Sequence, residues 1–95
     1  MLHIGFIGTG GVAERHAEAL CEMPEVKLVA AWSRSAAPRE AFATRYGATA
    51  RATLRELLDD PAIDAVFVLS KADTHVDYAI EALAARLRRS VSLVW

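Results

Sequence analysis

The apolar run Leu2–Ile7 passes directly into Gly8-Thr9-Gly10-Gly11-Val12-Ala13, and a helical pattern follows at once. A strand, a glycine turn and a helix packed into so few residues leave the backbone little choice. Gly8 permits the tight turn out of the strand, where a side chain would resist the required dihedrals. Gly10 has no Cβ, so a phosphate group can reach the backbone. Ala13 is small enough for the new helix to lie close against the strand. The first turn of the helix presents unpaired N–H groups and a partial positive charge. Spacing and context match the Gly-x-Gly-x-x-Ala form of the dinucleotide-binding fingerprint, which sets a pyrophosphate on a helix N-terminus. Gly8, Thr9, Gly10, Gly11 and Val12 are therefore the candidate pyrophosphate-binding segment.

Strands and helices alternate along the rest of the chain. Val12, Ala13, His16, Ala17 and Leu20 share one face of a helix over Val12–Cys21, ended by Pro24. Val26–Trp32 is apolar except for Lys27, which predicts a strand covered on both faces. Ser35 is placed to cap a helix through Tyr46, with Pro38 tolerated in its first turn and Gly47 at its stop. Thr53-Leu54-Arg55-Glu56 has the form of a capping box before Leu57 and Leu58, and Asp60-Pro61 breaks that short helix. Ala65–Leu69 is a further apolar strand. Thr74–Arg88 reads as a helix with Val76, Ile80, Leu83 and Leu87 on its inner stripe, and Val91–Val94 as a last strand. The expected fold is α/β: a doubly wound, Rossmann-like parallel sheet forming a single domain over residues 1–95.

Composition narrows the partners. With 11 basic and 12 acidic residues among 95, the chain has no polybasic surface for nucleic acid. No apolar run approaches membrane-spanning length, and no signal peptide is evident at the N-terminus. The lone Cys21 excludes an internal disulfide and a cysteine metal cluster, and is expected on or near the packed face of its helix. No metal ligands are assigned. These features point to a cytoplasmic protein.

The second functional segment ends the second strand, at Trp32-Ser33-Arg34-Ser35. Ser33 lies 20 residues past Ala13, where NAD-binding folds place a carboxylate for the ribose 2′-hydroxyl. No carboxylate stands at Trp32, Ser33 or Arg34. A hydroxyl and a permanent bidentate cation suit a 2′-phosphate instead, and Arg34 is also able to stack on adenine. A solvated arginine after a strand is the plainer alternative; the register with the glycines favours the phosphate. The expected cofactor is NADP in preference to NAD, with Ser33 and Arg34 reading the difference.

Taken together, several segments resemble the N-terminal domain of the Gfo/Idh/MocA oxidoreductases. They are His3 to Gly10, Ala13 with His16, Trp32 to Ser35, Tyr46-Gly47-Ala48, Leu57 to Val66, and Ala72-Asp73-Thr74-His75. The likeness covers nearly all of residues 2–85. It implies NAD(P) across the carboxyl edge of the sheet, with the loop Leu69-Ser70-Lys71-Ala72 and His75 on the cofactor side. Ser70 and His75 join the candidate binding residues on that ground. A local hydrogen bond at a helix start is the simpler account of His75 from the residues alone. The resemblance implies oxidoreductase chemistry on CH–OH groups of sugars or polyols.

The chain departs from the family in two places. Ser70-Lys71 stands where the family usually has Thr-Pro, and Lys71 reads as a solvated loop residue. After Ala85 the family pattern of Gly-Lys-His-Val and a strand ending in Glu-Lys-Pro is replaced by Arg86-Leu87-Arg88-Arg89-Ser90-Val91-Ser92-Leu93-Val94-Trp95. The commonly catalytic lysine and the C-terminal substrate domain are thus expected to be absent, and residues 86–95 form a divergent end. A frame slip, a truncation and a short divergent protein all fit, as does a partner chain supplying the missing domain. No catalytic residue is assigned. The alternative to an oxidoreductase half is a free-standing dinucleotide-binding module or an inactive fragment.

Overall fold

The computed structural model describes residues 1–69, 77–84 and 92–94. Five parallel strands form one sheet: β1 (Leu2–Ile7), β2 (Val26–Trp32), β3 (Thr49–Ala50), β4 (Ala65–Val68) and β5 (Ser92–Val94), in the order β3-β2-β1-β4-β5. Between them run α1 (Gly11–Cys21), α2 (Ala36–Tyr46), α3 (Leu54–Leu58) and α4, described over 77–84. The chain steps outward from β1 to β2 to β3, then returns to lay β4 on the other side of β1. That reversal opens a crevice beyond the carboxyl ends of β1 and β4, where ligands of open α/β sheets bind.

Two apolar layers sandwich the sheet. On one face Ile4, Phe6, Leu28, Ala31 and Ala65 pack with Ala13, Ala17 and Leu20 of α1 and Phe42 of α2. Phe6 lies between the rings of Phe42 and Phe67, with centroids 6.0 and 5.6 Å away. On the other face Ile7, Ala30, Val66 and Val68 meet Leu54, Leu57 and Leu58 of α3, Ile63, and Ala82 of α4. Side chains alternate between layers, as strand geometry requires, with one exception. The β1–β2 register shifts between Ile4 and Gly5, so Val29 and Ala30 both turn toward the α3 side. This bulge lets Trp32 reach that same face and stand edge-on to Tyr78, 5.3 Å between centroids.

Several local expectations are met. Gly47 ends α2 in the left-handed region at φ 69°. Thr53 Oγ1 accepts the Glu56 amide at 3.1 Å, the first half of the capping box. Other expectations are corrected. Ser35 stands at the N-cap of α2, but its side chain makes no capping hydrogen bond. Cys21 is exposed at the end of α1 rather than packed. Val12 and His16 also face outward, leaving Ala13, Ala17 and Leu20 as the buried stripe. In α4 the expected inner residues Ile80 and Leu83 are exposed, at 59% and 43%. Ala82 is the buried residue there, with Tyr78 packed beside it. A helix seated with alanine inward comes closer to the sheet than one seated with isoleucine. Val76, Leu87 and the arginines at 86, 88 and 89 lie outside the described residues. The short strand β3 was not foreseen, because Thr49–Ala50 is too brief to show a periodic pattern.

Candidate dinucleotide site

Gly8 leaves β1 with φ 114°, a conformation that side chains resist, and its amide donates to the Trp32 carbonyl at 2.7 Å. This bond holds the end of β1 to the end of β2. Gly10 is the N-cap of α1, and the Glu14 amide donates to its carbonyl at 3.0 Å. Positions 10 and 11 face open space: a Cβ added at either would meet nothing within 4 Å. No side chain caps the helix from position 10. Open space at a helix N-terminus, with no Cβ and no capping side chain, suits a pyrophosphate, so the residues present fit the cofactor their spacing implies. Ala13 is fully buried one turn into the helix, the close packing its size permits.

The Ser33 turn lies against the glycine loop. Thr9 Oγ1 donates to Ser33 Oγ at 3.0 Å, and Ser33 Oγ donates to the Ser35 carbonyl at 3.2 Å. Thr9 and Ser33, 24 residues apart in sequence, are thus in direct contact. Arg34 is exposed at the crest of the turn, and its Nε donates to the Tyr78 hydroxyl at 3.4 Å. Arg39, on the first part of α2, donates from Nη1 to the Ser33 carbonyl at 3.0 Å and to the Ala52 carbonyl at 3.4 Å. Neither Tyr78 nor Arg39 was singled out from the sequence. For Arg39 a signal existed: from 26 to 39 every charged residue is basic, namely Lys27, Arg34 and Arg39.

Ser70, Lys71 and His75 lie outside the described residues. Val12, though in the glycine segment, is 45% exposed on the first turn of α1. His16 donates Nδ1–H to the Val12 carbonyl at 2.8 Å and presents an edge to Phe67, a local role with no link to the Ser33 turn. A groove of about 220 Å³ lined by Leu20, Cys21, Lys27, Tyr46 and their neighbours lies at the opposite, amino edge of the sheet. Its position at the wrong end of the strands separates it from the glycine loop.

Residues 2–91 match the model of the Gfo/Idh/MocA oxidoreductase family, NAD-binding Rossmann fold. The chain belongs to this family. It is 35% identical over 85 residues to dTDP-3,4-didehydro-2,6-dideoxy-alpha-D-glucose 3-reductase of Saccharopolyspora spinosa, covering 88% of this chain and 26% of that protein. It is 36% identical over 87 residues to inositol 2-dehydrogenase of Acidothermus cellulolyticus, covering 90% of this chain and 26% of the relative. Among solved structures, biliverdin reductase from Synechocystis in complex with biliverdin and NADP+ superposes with a TM-score of 0.80 at 32% identity, over 97% of this chain and 28% of that one. The chain spans about a quarter of the length of the curated relatives it matches. It is the NAD(P)-binding Rossmann domain of the Gfo/Idh/MocA pattern, with the parallel sheet and dinucleotide cofactor class expected from the sequence. Among the described residues no helix is long and apolar enough to cross a membrane.

Proposed function

We propose that the chain binds NADP(H) in preference to NAD(H) and forms the cofactor half of a cytoplasmic oxidoreductase acting on CH–OH groups of sugars or polyols. The observation that carries this reading is the contact of Thr9 with Ser33, which sets the Ser33 hydroxyl against the glycine loop in a turn whose sequence holds Arg34 and no carboxylate. The amides around Gly8, Thr9, Gly10, Gly11 and Val12 hold the pyrophosphate. Ser33 turns its hydroxyl from the Ser35 carbonyl onto the 2′-phosphate, exchanging a neutral hydrogen bond for a charge-assisted one. Arg34 pairs with the same phosphate. Ser70 and His75 are assigned to the cofactor side on family likeness. The cofactor, when bound, supplies hydride transfer; the residues of this chain bind and orient it. Substrate-binding groups belong to a further domain or a partner chain, in keeping with the quarter-length match to the relatives. The names of those relatives, a sugar-nucleotide reductase and an inositol dehydrogenase, support the substrate class. Calorimetric titration with NADP+ and NAD+ tests the reading. Weak binding of both is expected, because only part of the cofactor is covered, with NADP+ the tighter. No heat and no thermal shift with either at millimolar concentration would overturn it.

A further inference from the structure

The side chain of a helical residue leans toward the helix N-terminus. Arg39, at the end of the first turn of α2, accordingly reaches back to the turn that precedes the helix. Its Nη1 lies 3.0 Å from the Ser33 carbonyl and 3.4 Å from the Ala52 carbonyl, and the residue is half-buried. Among the described residues no carboxylate pairs with it, whereas Arg45 pairs with Glu14 and Glu18, Arg51 with Asp60 and Arg55 with Asp59. The first turn of α2 carries no acid, and the sequence holds none between Glu25 and Glu40. A guanidinium held on neutral carbonyls keeps its charge available to a nearby anion. It also fixes the peptide of Ser33, whose hydroxyl faces Thr9 of the glycine loop.

Resting on the dinucleotide reading above, we infer that Arg39 is a positioning residue for the 2′-phosphate of NADP. It anchors the Ser33 backbone so that the Ser33 hydroxyl and Arg34 converge on one point. It also places a second fixed positive charge behind that point. NAD lacks the phosphate and gains nothing from either effect. A clip that served only the fold, tying the β2–α2 turn to the segment before α3, would support both cofactors equally.

The test uses the whole chain with Arg39→Gln, which keeps N–H donors but no charge, and Arg39→Lys, which keeps the charge. Dissociation constants for NADP+ and NAD+ are measured by calorimetry at two salt concentrations, beside thermal melts. Arg39→Gln is expected to weaken NADP+ about tenfold, to leave NAD+ within about twofold, and to flatten the salt dependence of NADP+ binding. Arg39→Lys is expected to recover most of the NADP+ affinity. Equal losses for the two cofactors, or an unchanged NADP+ constant, would overturn the inference while leaving the dinucleotide reading intact. Loss of the cooperative melt in both variants would make Arg39 a fold clip and overturn it as well. Wild-type protein that binds neither cofactor would instead remove the dinucleotide reading, and this inference with it.

Discussion

Replacing Gly10 by valine separates the needs of the fold from those of the ligand. The backbone there has φ −83° and ψ −164°, an extended conformation that a β-branched residue adopts readily. A Cβ at that position meets nothing within 4 Å. The folded-state cost is confined to the N-cap, where valine is poorer than glycine by about 1 kcal/mol. Reduced freedom of the unfolded chain offsets roughly 0.4–1 kcal/mol of that. The melting temperature should therefore move by no more than ~4–8 °C, the shift about 1 kcal/mol gives a domain of this size. The ligand meets a different situation. The valine methyls would fill the open space from which a pyrophosphate reaches the first amides of α1. Losing two charge-assisted hydrogen bonds, at about 1.5–3 kcal/mol each, weakens binding by at least ~100-fold at ~1.4 kcal/mol per decade. Circular dichroism and thermal melts report the fold; calorimetry with NADP+ and NAD+ reports the site. Affinity within about threefold of wild type would show that the pyrophosphate does not approach position 10. A collapse of helix content would show instead that the apparent space is needed for packing.

Arg34→Gln should reduce NADP+ affinity selectively, by about 1.5–3 kcal/mol for a charge-assisted hydrogen bond; equal losses for both cofactors in paired titrations would mean that Arg34 stacks on adenine without reading the phosphate. Gly5→Ala sets a Cβ 2.9 Å from Cδ1 of the buried Ile63 and 3.4 Å from Cδ2 of Leu57. Overpacking of that kind costs about 1–3 kcal/mol, read as a lower denaturation midpoint and partly recovered by adding Ile63→Val; an unchanged midpoint would mean that the β1–α3 contact is loose. Leu57→Ala, at a fully buried position between α3 and the sheet, should cost about 2–5 kcal/mol in the same assay. The 95-residue chain by itself should reduce no NAD(P)+ in the presence of glucose or myo-inositol; steady NADPH production lost on mutating Lys71 or His75 would contradict that.

The sheet was legible because its strands are signalled locally. Leu2–Ile7 and Val26–Trp32 have the same bounds in sequence and structure, and Gly8 and Gly47 stand at the two positive-φ turns among the described residues. β3 was not legible, since its two residues pair with Ala30 and Ala31 only through the tertiary fold. The stripe assigned to α4 failed for a different reason. Ile80 and Leu83 have the spacing of an inner face, yet Tyr78 and Ala82 define an equally good one, and hydropathy alone favours the larger side chains. What decides between them is Trp32: its ring needs a partner at the end of β2, and Tyr78 supplies it edge-on. Cys21 was expected inward because cysteine is often buried, but it ends α1 on the outer side of Leu20. In the candidate site, the glycine loop and Ser33 turn followed from spacing, whereas Arg39 and Tyr78 act through contacts with residues 6 and 44 positions away, Ser33 and Arg34. Single-residue propensities carry no trace of such pairings.

Two bonds tie the ends of β1 and β2 together: the Gly8 amide to the Trp32 carbonyl at 2.7 Å and the Thr9 hydroxyl to Ser33 at 3.0 Å. Each joins a residue of the glycine loop to a residue at or just past the end of β2. The segment proposed to hold the pyrophosphate and the turn proposed to hold the ribose phosphate are therefore set relative to each other by the fold. A ligand bound there would lose little affinity to ordering these loops, which offsets part of the weakness expected of a site resting on a few backbone amides and one or two cations. The same linkage makes the two segments energetically dependent. A change at Thr9 alters the hydroxyl chain that runs through Ser33 to the Ser35 carbonyl, and so reaches the turn proposed to hold the ribose phosphate without touching it. On the proposed reading, cofactor choice would then depend on the joined loops, with the Gly8 amide on the Trp32 carbonyl and Arg39 on the Ser33 carbonyl, rather than on Ser33 and Arg34 alone.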